Sequence, residues 1–203
     1  MTVAGAVLAA GAGRRFGDAP KQLADVGGLP LLQHAIDAQA AGGLDRRAVV
    51  VGARADEVLA AVDVRGADVV RAADWDEGLA ASLRAAVAWA DDVALEGDQD
   101  PEVRPRWLLI TLGDQPRVGA AAVAAVAQAA RAAAPGTDVV RATYAGEGGH
   151  PVALRRTTFD QLRALRGDTG ARDLLAGARP VELGALADPA DVDTPADLEA
   201  LTP

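Results

Sequence analysis

Residues 3–17 have the sequence VAGAVLAAGAGRRFG, an unbroken apolar run followed at once by a glycine-rich loop. The apolar run predicts a buried strand, Val3–Ala9. Small residues directly after a strand let the backbone approach a ligand, and successive N–H groups there can form a concave anion site. The stretch therefore predicts a strand–loop unit that can bind an anion at the end of the first strand.

Beyond this stretch, short apolar runs alternate with segments of helical periodicity. Further strands are predicted at Ala48–Val51, Ala67–Arg71, Trp107–Leu112, Asp138–Thr143 and His150–Arg155. Helices are predicted at Pro30–Ala41, Ala55–Val62, Glu77–Ala90, Ala120–Ala134, Phe159–Leu165, Ala171–Leu175 and Pro195–Leu201. The acidic segment Asp91–Arg106 is predicted to be an exposed loop, and His150–Arg155 an antiparallel strand at the sheet edge. This alternation is typical of an α/β fold with a mostly parallel sheet covered by helices.

Composition limits the possible classes of function. The chain has 203 residues, 50% of them hydrophobic, which suits one domain over residues 1–203. Its net charge of −9 argues against a nucleic acid or an anionic membrane as partner. The absence of cysteine excludes disulfides and thiolate sites. A small polyanion can still bind where positive side chains and backbone N–H groups are concentrated locally.

The apolar run at the N-terminus is expected to be a strand and not a secretory signal. Its positive charges, Arg14 and Arg15, follow the run, whereas a signal peptide carries such charges before it. The run is also too short to cross a bilayer. We therefore expect a cytoplasmic location.

Lys21 is the only lysine among the 20 Lys and Arg residues. Where Arg serves at every other position, a single Lys indicates a site that needs a compact ammonium, such as one held against a phosphate. A surface lysine left by chance is the other interpretation. As a loop residue, Lys21 is expected to be solvated when no ligand is bound, so its replacement should barely change stability.

The loop after the first strand can be compared with three kinds of phosphate-binding loop. A Walker loop requires Gly-Lys-Ser/Thr, which is absent. A dinucleotide fingerprint requires G-x-G-x-x-G, whereas Gly11, Gly13 and Gly17 are spaced G-x-G-x-x-x-G. The triphosphate loop of nucleotidyltransferases accommodates these glycines and the charges of Arg15 and Lys21. A glycine-rich turn that binds nothing is the alternative.

Two acidic motifs lie further along the chain. LGDQP, residues 112–116, ends a strongly apolar strand, and ligands of α/β sheets gather at such carboxyl ends. Asp114 is placed there to hold a divalent cation, since magnesium binds a few carboxylates together with phosphate and water oxygens; a turn aspartate is the alternative. DVDTP, residues 191–195, puts Asp191 and Asp193 just before the last helix. Asp193 or Thr194 is expected to cap that helix. Where one carboxylate caps the helix, the other can face the site.

Two shorter segments complete the set of candidate positions. WDEGLAASL, residues 75–83, places Gly78 and Ser82 near a helix start, where they can contact a base or ribose. GGHP, residues 148–151, is a tight turn that contains His150. A lone histidine beside proline is more often a packing residue than a catalyst, and no Ser–His–Asp order is present.

These motifs occur in the same order as in the MobA-like nucleotidyltransferases, and the chain most resembles the branch of molybdenum cofactor cytidylyltransferases. The matching segments are LAAGAGRRFG (8–17), KQL (21–23), WDEGLAASL (75–83), GDQP (113–116), GGHPVAL (148–154), GDTGARDLL (167–175) and DVDTP (191–195). Each motif is weak alone, but together they cover nearly the whole chain. The Leu-Ala-Ala-Gly at the loop start resembles cytidylyl transfer, whereas Leu-Ala-Gly-Gly is usual for guanylyl transfer.

The resemblance implies a Rossmann-like three-layer sandwich, with a nucleotide-binding part over residues 1–116 and an acceptor-binding part over residues 117–203. It implies catalytic roles for Lys21, Arg15 and Asp114, and a magnesium site at Asp114 and Asp193, with Asp191 as the less favoured second ligand. The implied nucleotide-binding positions are Leu8, Ala9, Ala10, Gly11, Ala12, Gly13, Arg15, Lys21, Gly78, Ser82 and Asp114. The implied acceptor-binding positions are Gln115, Gly149, His150, Pro151, Asp168 and Arg172.

The implied reaction transfers CMP from CTP to the terminal phosphate of molybdopterin, a phosphorylated pterin, and releases pyrophosphate. A molybdoenzyme or its chaperone is the expected recipient of the product. Alternatives are a guanylyltransferase acting on molybdopterin or on a phosphorylated hydroxy acid, and a non-catalytic accessory protein for the cofactor. A nicotinamide-dependent oxidoreductase would need an acidic ribose anchor at the end of the second strand, and VVVGAR, residues 49–54, offers none.

Overall fold

A computed structural model describes residues 1–94, 104–167 and 172–201 of the chain. Seven strands of the described residues form one sheet: β1 (Val3–Ala9), β4 (Arg46–Val51), β5 (Asp68–Arg71), β6 (Trp107–Leu112), β7 (Val139–Tyr144), β8 (Glu147–Arg155) and β9 (Arg179–Glu182). Two short strands, β2 (Asp25–Val26) and β3 (Leu29–Pro30), form a separate antiparallel hairpin.

The sheet has the order β5-β4-β1-β6-β8-β7-β9. β8 runs antiparallel to its neighbours β6 and β7, and the other strand pairs of this sheet are parallel. The prediction of a mostly parallel sheet with one antiparallel strand is confirmed. Its predicted place at the edge is wrong, because Pro151–Leu154 are buried in the interior of the sheet and β9 forms the edge.

The helices of the described residues cover both faces of this sheet. They are α1 (Leu31–Ala41), α2 (Ala55–Ala61), α3 (Leu79–Asp92), α4 (Ala120–Arg131), α5 (Phe159–Ala164), α6 (Arg172–Leu175) and α7 (Pro195–Leu201). Short 3-10 helices occur at Lys21–Leu23, Trp75–Glu77 and Arg156–Thr158. No helix in the described part of the chain is both long and apolar enough to span a bilayer.

The side chains of β1 alternate between the two faces of the sheet. Val7 and Ala9 belong to an apolar cluster with residues of α1 and α2, whereas Ala6 and Leu8 belong to one with residues of α3 and α5. A third cluster joins α4 to β6, β7 and β8. Every residue of β1 is buried, as expected for a strand covered on both faces. The predicted three-layer sandwich is therefore confirmed.

Three local differences from the predicted elements have identifiable causes. Pro30 pairs with Asp25 in the hairpin, so α1 begins one residue later than predicted. Gly78 has a φ of 99°, which separates the 3-10 turn from α3 and moves the start of the helix to Leu79. β9 was not predicted because most of its residues are exposed. The loop predicted at Asp91–Arg106 lies mostly outside the described residues.

Candidate active site

The register of the sheet brings the first loop and the Asp114 motif together. β1 pairs with β6 so that Leu8 lies opposite Leu112, and the Gly113 N–H donates to the Leu8 carbonyl over 2.9 Å. A Cβ on Gly113 would lie 2.9 Å from Leu32 Cδ1 and 3.0 Å from Ala9 Cβ. Glycine at position 113 therefore permits this close approach, which sets Asp114 beside the loop.

Gln22, which the sequence analysis did not identify, holds the glycine-rich loop. Its amide Nε2 donates to the carbonyl oxygens of Ala9 at 2.9 Å and Gly11 at 2.7 Å. Only 6% of the residue is exposed. Gly13 has a φ of 59°, and a Cβ there would lie 2.8 Å from Lys21 Cβ. The loop is thus packed against the 3-10 helix that carries Lys21 and Gln22. The signal in the sequence was its position in the KQL segment (21–23), which the sequence analysis matched without giving Gln22 a role.

Replacing Gln22 with Leu is expected to cost about 1–3 kcal/mol of unfolding free energy, because two carbonyl oxygens lose their donor in a buried setting. The loop should also lose its fixed conformation, which should raise KM for the nucleoside triphosphate several-fold. Chemical denaturation and initial rates measure the two effects. Gln33→Leu is the matched control, since Gln33 is buried but donates to Asp63 O and Asp37 Oδ1. An unchanged KM in Gln22→Leu would contradict the proposed role.

Lys21 lies between two carboxylates. Its Nζ is 2.7 Å from Asp114 Oδ2 and 3.0 Å from Asp193 Oδ1. Arg15 donates to the other oxygen of Asp193 over 2.8 Å. The Lys21 side chain is only 12% exposed, whereas that of Arg15 is 74% exposed. The expectation of a solvated loop lysine is therefore wrong, because Lys21 begins a 3-10 helix and its ammonium pairs with two carboxylates.

The segment before α7 is attached to the Asp114 motif by backbone and side-chain bonds. The Val192 N–H donates to the Asp114 carbonyl over 2.9 Å. Gln115 is buried, and its Nε2 donates to Pro189 O at 3.0 Å and to Asp191 Oδ1 at 2.8 Å. The amide group assigned to acceptor binding therefore orients Asp191 in this structure.

Thr194 provides the cap that leaves Asp193 available to the site. The Asp197 carboxylate accepts from the N–H groups of Asp193 and Thr194, and the Thr194 hydroxyl accepts from the Asp197 N–H over 3.3 Å. This reciprocal arrangement is a capping box that closes the start of α7. Of the two capping residues considered, the structure uses Thr194.

Lys21, Arg15, Asp114, Asp191 and Asp193 form a charged cluster, called here the carboxylate cluster. Their charges shift the pKa values of some of its members. Partial burial disfavours the charged form of Lys21, but the charges and hydrogen bonds of Asp114 and Asp193 outweigh it and raise the Lys21 pKa. Asp191 is exposed as a residue, yet its carboxyl group lies among protein atoms. This desolvation, together with the negative charge of Asp114, raises the Asp191 pKa. The site is thus a concentration of negative charge around one ammonium.

The donor set fits a hard divalent cation that is shared with a ligand. Asp114 Oδ1 is buried and accepts no hydrogen bond from the described residues. Those residues contain no group of three or more His, Asp or Glu side chains arranged around one point. A cation here would rest on one or two carboxylates and complete its shell with phosphate and water oxygens, which is the mode that magnesium favours.

A cleft opens beside this cluster. Its lining consists of Leu8, Ala9, Gly11, Gly13, Lys21, Gln22, Leu31, Gly113 and Asp114. The structure thus brings together most of the loop positions predicted to bind a nucleotide. Gly78 and Ser82 lie outside this lining, at the start of α3, and Ser82 is buried. Gly52 packs closely against the Trp75 side chain and the Ala10 carbonyl, since a Cβ on Gly52 would lie 2.5 Å from Trp75 Cβ and 2.7 Å from Ala10 O.

Because β8 runs opposite to β6, its first residues lie at the carboxyl end of β6, where Asp114 lies. Ile110 of β6 pairs with Val152, so Gly149, His150 and Pro151 lie toward the end of β6. The Tyr144 hydroxyl donates to the His150 carbonyl over 2.6 Å. Of the other predicted acceptor positions, Asp168 lies outside the described residues, and only the backbone of Arg172, in α6, is described.

The His150 imidazole is held neutral. Burial among protein atoms and the positive charge of Arg141 lower its pKa to about 4, although the negative charge of Asp114 opposes this shift. The influence of Asp114 places His150 within electrostatic reach of the carboxylate cluster. A neutral imidazole can donate or accept a hydrogen bond here but carries no proton to release near neutral pH.

The low pKa of His150 predicts a pH dependence of stability. The unfolded chain protonates this histidine near pH 6.5, whereas the folded chain keeps it neutral down to about pH 4. Its contribution is therefore complete above pH 6.5 and is lost as the pH falls toward 4. Urea unfolding over this range should show a shallower loss for His150→Gln than for wild type. His34→Gln, at the other histidine, is the control, and parallel pH profiles for His150→Gln and wild type would refute the assignment.

One family model and several curated proteins match this chain over most of its length. The family model for the MobA-like NTP transferase domain matches residues 5–183. The nicotine blue oxidoreductase of Paenarthrobacter nicotinovorans is 29% identical over 85% of this chain and 81% of its own length. The 2-C-methyl-D-erythritol 4-phosphate cytidylyltransferase of Cereibacter sphaeroides is 30% identical over 98% of this chain and 86% of its own length.

Solved structures resemble the whole chain. The crystal structure of Rv0371c from Mycobacterium tuberculosis is 33% identical, with a TM-score of 0.82 over 98% of this chain and 96% of that chain. A second structure of that protein is a complex with manganese; it is 32% identical, with a TM-score of 0.77 over 99% of this chain and 98% of that chain. Divalent metal binding thus occurs in a close structural relative.

Proposed function

Because the chain belongs to the MobA-like NTP transferase domain family, whose activity is nucleotidyl transfer, we propose that it transfers CMP from CTP to the terminal phosphate of molybdopterin and releases pyrophosphate. The observation that carries the proposal is the position of the Lys21 ammonium between Asp114 and Asp193, at the mouth of the glycine-rich loop. This position supports the proposal, because a triphosphate needs a positive charge beside its phosphates and its metal ion needs carboxylates.

The residues act mainly by position and charge. Backbone N–H groups of the loop from Ala10 to Gly13 and the side chains of Arg15 and Lys21 bind the phosphates. Asp114 and Asp193 would hold Mg²⁺, which when bound offsets the negative charge that develops on the phosphates. The shared ammonium favours Asp193 over Asp191 as the second carboxylate. Gly78 and Ser82, at the start of α3, are the proposed contacts of the base or ribose.

The acceptor is proposed to bind mainly to the part of the chain that follows residue 116, together with Gln115. Gln115, Gly149, His150 and Pro151 lie near the cluster, and Asp168 and Arg172 are proposed to complete the contacts. A terminal phosphate is already an anion, so no strong general base is needed to activate it. A neutral His150 agrees with this chemistry, since it can orient an oxygen without changing its charge state near neutral pH. The reaction is expected in the cytoplasm, with a molybdoenzyme or its chaperone as recipient.

Turnover with each triphosphate tests this proposal. The protein is incubated with ATP, CTP, GTP or UTP, Mg²⁺ and molybdopterin, and pyrophosphate release is followed. We expect release that requires all three components and is fastest with CTP. Faster release with GTP would favour the guanylyltransferase alternative, and no release with any triphosphate would refute the proposal.

Ala10 is expected to contribute to the choice of base. It is 2% exposed and belongs to the apolar cluster that contains Val50, Ala72 and Leu83. Its methyl group thus fixes the depth of the loop above the sheet. Ala10→Gly should let the loop lie closer to the sheet and so reduce the preference for CTP over GTP. Discrimination between substrates by pocket contacts of this kind is typically roughly 10- to 200-fold in kcat/KM. The ratio of kcat/KM for the two triphosphates measures it, and an unchanged ratio would contradict the role.

A redox activity is a second candidate only because one relative is named an oxidoreductase. A dinucleotide site would need an acidic residue at the end of the second parallel strand. The residues after β4 are Gly52, Ala53 and Arg54, and the Arg54 side chain pairs with Glu57. Oxidation of NADH or NADPH by nicotine blue, faster than without the protein, would support this candidate, and a rate equal to that blank would exclude it.

A further inference from the structure

The position of Lys21 has a consequence for the order in which ligands bind. The ammonium pairs with Asp114 and Asp193 at the same time, and the Lys21 side chain is largely withdrawn from solvent. These are the carboxylates proposed above to hold the divalent cation. An ammonium and a divalent cation repel each other and cannot occupy the same space between these oxygens.

Backbone and Cβ contacts hold Lys21 in place, whereas its side chain beyond Cβ has rotatable bonds. The residue opens a 3-10 helix in which the Ala24 N–H donates to the Lys21 carbonyl over 3.1 Å, and its Cβ packs against Gly13. Beyond Cβ, the flexible stem ends at the cleft, where Lys21 and Gly11 both belong to the lining. The ammonium can therefore turn from the carboxylates toward a triphosphate in the cleft without rearrangement of the loop.

Arg15 does not hold the carboxylates in the same way. It reaches only the outer oxygen of Asp193, and its side chain is 74% exposed. Exposed ion pairs of this kind contribute little and exchange readily with solvent. Lys21 is thus the cation that governs access to Asp114, whose second oxygen is buried and unpaired among the described residues.

We propose that Lys21 is an internal counter-cation, which keeps a divalent metal from binding tightly to Asp114 and Asp193 until a nucleoside triphosphate draws its ammonium away. Metal and nucleotide then bind cooperatively, because the triphosphate supplies both a new partner for Lys21 and additional oxygens for the metal. The inference rests on the proposed nucleotidyltransferase function only in naming the triphosphate as the ligand that moves Lys21. Its first consequence, tighter metal binding when Lys21 is replaced, can be measured on the protein without nucleotide.

Binding of Mn²⁺ to the full chain tests the inference, with the free ion followed by electron paramagnetic resonance. Without nucleotide, wild type should bind Mn²⁺ weakly, and Lys21→Met should bind it at least about tenfold more tightly, within the usual 5- to 150-fold range of coupling between sites. Lys21→Gln is a second uncharged variant for use if Lys21→Met folds poorly. Arg14→Met is the matched control, since it removes one exposed positive charge from the same loop. The double variant Lys21→Met/Asp114→Asn should lose the gain.

A non-hydrolysable CTP analogue supplies the second measurement. It should raise the Mn²⁺ affinity of wild type at least about tenfold and that of Lys21→Met by a smaller factor. The inference is overturned if the Lys21 variants bind Mn²⁺ no more tightly than Arg14→Met, or if the double variant keeps the gain. The nucleotide-free comparison needs no acceptor and no turnover. Failure of every triphosphate in the pyrophosphate assay would therefore refute the proposed function while leaving the competition between Lys21 and metal to this test.

Discussion

Asp114→Asn is expected to leave the fold intact and to lower kcat by roughly a hundred- to thousand-fold, the usual cost of losing one group that stabilises developing charge. Asparagine keeps the shape of the side chain and can still accept from Lys21 Nζ. It removes the negative charge, however, and puts an amide group where a buried carboxylate oxygen now lacks a partner. The metal proposed to bind there would lose its main ligand.

The measurement is kcat at saturating Mg²⁺, with the melting temperature as a check on folding. Asp188→Asn is the matched control, because Asp188 also pairs with a cationic side chain, that of Arg117, but lies away from Asp114, Asp191 and Asp193. Near-normal turnover of Asp114→Asn would remove Asp114 from the metal site. Asp193→Asn should be impaired to a lesser degree, and a larger loss in Asp191→Asn would reverse the choice between these two carboxylates.

Lys21→Arg is expected to be strongly defective although the charge is conserved. The Lys21 ammonium fits between two carboxylates at 2.7 and 3.0 Å, and its stem is packed against Gly13. A guanidinium is wider and planar, and it pairs with carboxylates in a fixed geometry of its own. We expect kcat to fall by roughly a hundred- to thousand-fold, with Lys21→Met at least as low.

Stability separates the roles of charge and shape at this position. Lys21→Met should have a lower melting temperature than wild type, because two partly buried carboxylates lose their shared counter-charge. Lys21→Arg should retain more of the stability while it loses activity. If Lys21→Arg keeps most of its activity, position 21 needs only a positive charge, and the argument from its being the only lysine fails.

The sequence alone predicted those features of the fold and of the candidate site that depend on local sequence patterns. The apolar run of β1, the glycines after it and the carboxylate at the end of β6 predicted the α/β class and the place of the site. Hydrophobic periodicity and the backbone requirements of glycine act over a few residues, so they can be found without knowing what packs against them. The motif order added the family, which the match over residues 5–183 confirms.

Features that depend on contacts between distant residues could only be seen in the tertiary structure. Lys21 meets Asp114 and Asp193 across 93 and 172 residues of chain, and no local pattern indicates that one ammonium serves both carboxylates or is nearly buried by them. The same holds for the place of β8 inside the sheet, which brings His150 toward Asp114. Burial, pKa and pairing of charges are properties of the assembled surroundings, and these exist only once the sheet has set its register.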